Sequence, residues 1–60
     1  MIEELIKKGK DALVKDYNDS VKCDFIRKYI KTLEDHPKGS HSHKINRLRE
    51  TAISNLEQLV

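Results

Sequence analysis

Ser20-Val21-Lys22-Cys23-Asp24-Phe25-Ile26-Arg27-Lys28-Tyr29-Ile30-Lys31-Thr32-Leu33-Glu34-Asp35 is the stretch that decides the fold class. Val21, Phe25, Ile26, Tyr29, Ile30 and Leu33 recur at intervals of three and four, the period of one helix face, where a strand would alternate every second residue. The preceding Asn18-Asp19-Ser20 is a cluster of cap and turn residues, and Ser20 followed by Asp24 one turn later suits a helix start. At the other end His36 stands before Pro37, whose ring disfavours helical backbone in the residue ahead of it, and Gly39 follows shortly after. A helix over about 20–35 is expected.

Toward the N-terminus, Ile2, Leu5, Ile6, Gly9, Ala12, Leu13 and Tyr17 keep the same period, and Glu3 and Glu4 fall in the first turn, where the helix dipole favours carboxylates. They predict a helix over about 2–17. Toward the C-terminus, Ser42 is the expected N-cap of a third helix over about 43–59, with Ile45, Leu48, Ala52, Leu56 and Leu59 on its apolar stripe. Ile53 and Val60 add a second apolar edge, wider than one neighbouring helix would cover. A strict coiled coil fits poorly, because a heptad register through Ile45, Leu48 and Ala52 puts Asn55 in the seam. The expected architecture is all-α: three amphipathic helices in one small domain spanning 1–60, packed as a homo-oligomer, with Ile53, Leu56 and Val60 at the interface between copies.

Size points the same way. A chain of 60 residues, 37% of them hydrophobic, buries only about 60% of the surface its unfolded form exposes, so self-association is an expected source of further stability. The single cysteine, Cys23, cannot form an internal disulfide and reads as a small semi-buried apolar residue. No apolar run reaches the about 18 residues of a membrane span, and the acidic, amphipathic N-terminus lacks the pattern of a targeting signal. A cytoplasmic protein without membrane attachment is expected.

The net charge of +2 is too small to argue for bulk attraction to nucleic acid, but its distribution is uneven. Between His36 and Arg49 stand Lys38, Lys44, Arg47 and Arg49, with His36, His41 and His43, and no acid. The first turn of a helix presents unpaired backbone N–H groups and the positive end of its dipole, which suits phosphate or carboxylate. Gly39 would let backbone approach a ligand, Ser40 and Ser42 can donate hydroxyl bonds, and Lys38, Lys44 and Arg47 supply charge. Tyr17, at the end of the first helix, is the candidate for stacking on a base. The same residues also make an ordinary loop capped by Ser42, and Lys38-Gly39-Ser40 is not a Walker pattern.

Other chemistry is less well supplied. His41 and His43 lack an accompanying thiol or carboxylate, so neither a metal site nor a cofactor is expected. Ser40 and Ser42 have no base oriented by a third group, and a short helical chain offers little concavity, so no enzymatic activity is expected. A DNA-binding regulator would place Lys44, Arg47 and Arg49 on a recognition helix, but the connection from His36 to Ser42 exceeds the three or four residues of a helix-turn-helix turn.

From Pro37 to Leu59 the chain resembles the small helical phage proteins that sequester cyclic nucleotide immune signals, the anti-CBASS sponge family. The resemblance rests on Pro37, Gly39, Ser42 at the helix start, Ile45, the run Asn46-Arg47-Leu48-Arg49-Glu50, and Leu59 closing the helix. It implies a helical homo-oligomer that binds cyclic dinucleotides or trinucleotides between protomers without altering them, in an anti-defence role. The leading expectation is therefore a non-enzymatic binder of a phosphate-bearing nucleotide. The alternative is a small inhibitor or adaptor that engages a host protein through the apolar face of the third helix.

Overall fold

The computed structural model describes residues 2–39 and 41–60, and its order is α1 (Ile2–Lys15), α2 (Ser20–Asp35) and α3 (His43–Leu59). No strand occurs among the described residues. Lys10 pairs with Glu34 at 3.5 Å and Lys22 with Asp16 at 2.9 Å, which sets α2 antiparallel to α1. Asn55 Nδ2 donates to the Tyr29 hydroxyl at 3.3 Å and Arg49 Nε to the His36 carbonyl at 2.6 Å, so α3 runs back along α2 and parallel to α1.

α1 stops two residues earlier than its apolar pattern suggests. The Asp16 N–H still reaches the Ala12 carbonyl at 2.8 Å, but the Asp19 N–H then bonds the Asp16 carbonyl at 2.9 Å, and this i to i+3 closure turns the chain. Tyr17 thus sits in the turn and not on a helix face. The N-cap of α2 is Asp19, one residue ahead of the expected Ser20, and its carboxylate accepts from the Lys22 N–H at 3.1 Å. α2 ends where Pro37 requires it, with the His36 N–H closing on the Thr32 carbonyl at 3.1 Å. Ser42 caps α3 as expected, its hydroxyl accepting from the Ile45 N–H at 3.4 Å.

The core joins all three helices. Ile26 and Leu33 of α2 and Leu56 of α3 are fully buried, with Ala12, Cys23, Ile30 and Ala52 close to it. The Cys23 thiol donates to the Asp16 carbonyl at 3.3 Å, so it is a packed residue that also ties the first turn. Gly9 is the point of closest approach: a Cβ there would lie 3.0 Å from Ile30 Cδ1 and 3.3 Å from Leu56 Cδ1. A side chain there would make Ile30 and Leu56 give way by a few tenths of an ångström, so glycine lets α1 sit this close without that shift.

The buried stripe of α2 is narrower than its apolar periodicity. Cys23, Ile26, Ile30 and Leu33 face inward, whereas Val21 and Phe25 lie to one side and stay exposed. Leu48, placed by its spacing on the apolar stripe of α3, is likewise 49% exposed.

Candidate functional site

Segment 36–42 and the first turns of α3 carry most of the expected ligand residues. The last carbonyls of a helix have no partner within it, and the negative end of the dipole there favours a cation. Arg49, from the second turn of α3, supplies one: Nε donates to the His36 carbonyl at 2.6 Å and Nη2 to the Pro37 carbonyl at 3.3 Å. This arginine is therefore used to hold the connection in place. In the sequence Arg49 stands only among the basic residues of this stretch and on the recognition helix of the DNA-binding alternative, whereas its place opposite the end of α2 gives it this backbone role.

The remaining cations face outward. Lys38, Lys44 and Arg47 are exposed, and among the described residues no carboxylate lies within ion-pair distance of them. Lys44 and Arg47 stand three apart in the first turns of α3, on adjoining faces. Gly39 has no left-handed backbone, and a Cβ there would meet only Asn46 Oδ1 at 3.8 Å, so this position does not require glycine. Ser40 lies outside the described residues.

Tyr17 does not join this group. It sits in the turn before α2 while the loop follows α2, and a 16-residue helix is about 24 Å long. At 73% exposed it is open to solvent at the far end of the protomer, away from the start of its own α3.

The expected interface residues also divide. Leu56 is 0% exposed, a centre of the protomer's own core, and is thereby removed from any contact between copies. Ile53 is half-buried and Val60 is 44% exposed. Both line an open groove of about 630 Å³ between α1 and α3, with Ile2 and Leu5 opposite and Glu4, Lys8 and Glu57 on the rim. A shallower groove on the other flank of α3 is formed by Phe25, Tyr29, Asn55, Gln58 and Leu59. The Phe25 and Tyr29 rings stack there, with centroids 6.2 Å apart and planes 19° from parallel. The sequence reading missed that Ile2 and Leu5 would share a groove with Ile53, since that depends on how deeply α1 settles at Gly9.

Among the described residues no helix is long and apolar enough to cross a membrane, and no three His, Cys, Asp or Glu side chains are placed to share a metal ion. No known protein family, characterised protein or solved structure matches this chain.

Proposed function

We propose that this protein is a non-enzymatic binding module that works as a homo-oligomer. The observation that carries the reading is the apolar surface left uncovered on both flanks of α3. Ile53 and Val60 line one groove, Phe25 and Leu59 the other, and Leu48 is about half exposed. Burying apolar surface is worth about 25 cal/mol per Å², and a domain this small has few other ways to add stability. Sedimentation velocity over a wide dilution series is the test. A discrete oligomer that dissociates on dilution is the expected result, whereas a monomer at every concentration overturns the reading and leaves the same surface for a different protein.

A second reading concerns what the module holds. Lys38, in the loop before α3, and Lys44 and Arg47, in its first turns, are exposed without an acid within ion-pair distance among the described residues, which suits a phosphate-bearing ligand such as a cyclic nucleotide. Native mass spectrometry with a panel of linear and cyclic nucleotides tests it. A stoichiometric adduct that disappears in Lys44→Ala with Arg47→Ala, and survives in Tyr17→Ala, is expected. An equal adduct in the double variant, still helical by circular dichroism, would remove the site.

A further inference from the structure

Along one edge of α1 the charged residues Glu4, Lys8, Asp11 and Lys15 follow at intervals of four, three and four. At 100° per residue they fall within a narrow arc of the helix, so they form a single exposed row reading minus, plus, minus, plus over about 16 Å. The spacing would allow Glu4 to pair with Lys8 and Asp11 with Lys15 inside the helix. Neither pair is closed: the described ion pairs are Lys10 with Glu34, Lys22 with Asp16 and Arg27 with Asp24. The row also borders the seam between α1 and α3. Glu4 and Lys8 rim the groove that holds Ile53 and Val60, and Lys8, Asp11 and Lys15 line its continuation past Val60.

We infer that this edge is a two-fold interface between two copies of the chain, with their α1 helices antiparallel. The inference rests on the homo-oligomer reading and adds the face, the symmetry and the register. A second α1 laid antiparallel presents the reversed row, plus, minus, plus, minus. Glu4 then faces the other copy's Lys15, and Lys8 faces the other copy's Asp11. Each contact occurs twice, as two-fold symmetry requires. Both pairings share one centre, between Gly9 and Lys10, so a single axis satisfies all four contacts. A parallel, in-register arrangement would set every charge against its own twin. The apolar edge of Ile53 and Val60 supplies surface to bury, and the charges fix which way the partner lies.

Charge exchange tests this directly. Glu4→Lys with Asp11→Lys makes the row all basic, and Lys8→Glu with Lys15→Glu makes it all acidic. All four positions are exposed, and circular dichroism checks that each variant is still helical. Each variant alone is expected to self-associate at least about tenfold more weakly than the parent, and an equal mixture is expected to recover association as a mixed dimer. Variants that associate as well as the parent, or a mixture that recovers nothing, would overturn this interface while leaving self-association itself standing. A parent that is monomeric throughout would overturn both. Should either variant fail to fold, zero-length carbodiimide cross-linking of the parent, mixed from heavy- and light-isotope chains, decides the matter. A heavy-to-light Lys8–Asp11 link supports the interface, and its absence from a cross-linked dimer rejects it.

Discussion

The two connections between helices are built on opposite plans. Turn 16–19 is short, and nearby residues hold it several times over. The Asp16 carbonyl accepts from the Asp19 N–H and the Cys23 thiol, the Asp16 carboxylate pairs with Lys22, and Asp19 caps α2. Segment 36–42 is longer, and Arg49 ties it across to α3 by reaching the His36 and Pro37 carbonyls. Overlapping local contacts tolerate the loss of any one, whereas the loss of Arg49 frees two carbonyls of the second connection at once. The difference also shapes the surface, because the first turn sets its acids against Lys22 and the second leaves Lys38, Lys44 and Arg47 open to solvent.

Both connections depend on the shared core, and removing part of it is expected to have the largest effect. Leu56→Ala should cost about 2–5 kcal/mol. A chain of this length has only about 3–9 kcal/mol in all, so urea unfolding should find the variant largely unfolded or close to it. Arg49→Ala should cost about 1.5–3 kcal/mol, since two carbonyls lose a charged donor, and hydrogen exchange should quicken at 36–42 while 16–19 is unchanged. Asp19→Ala removes one cap and should cost about 1 kcal/mol in the same unfolding assay. Lys22→Ala loses a partly exposed pair and should cost no more than about 0.5 kcal/mol. A loss from Lys22→Ala or Asp19→Ala as large as that from Arg49→Ala would break the contrast between the two connections.

How much of this could be read from sequence follows the range of the interactions. The C-terminal end of α2 and the start of α3 were legible because local chemistry sets them: Pro37 stops one and Ser42 caps the other. The end of α1 was not, because Tyr17 keeps the apolar period while the Asp16 to Asp19 bond has already turned the chain. Apolar spacing marked which helix faces carry hydrophobic residues but not which of those residues would be covered. It could not separate buried Leu56 from exposed Leu48, or Ile26 from Phe25, because that depends on how three helices cross. Gly9 is where α1 packs tightly on both neighbours, and that appears only once Ile30 and Leu56 lie against it. Among the candidate ligand residues, Lys38, Lys44 and Arg47 are exposed, in the loop before α3 and in its first turns. Tyr17 was separated from them by the length of α2, and Arg49 proved to be committed to the backbone.

The most direct test of where this molecule meets its own copies is hydrogen–deuterium exchange on the parent chain at two concentrations, one above and one below its dissociation. Slowing at high concentration confined to α1 and to 53–60, with 36–44 unchanged, is the result this account predicts. Slowing centred on 36–44, or no change at any amide although an oligomer forms, would contradict it.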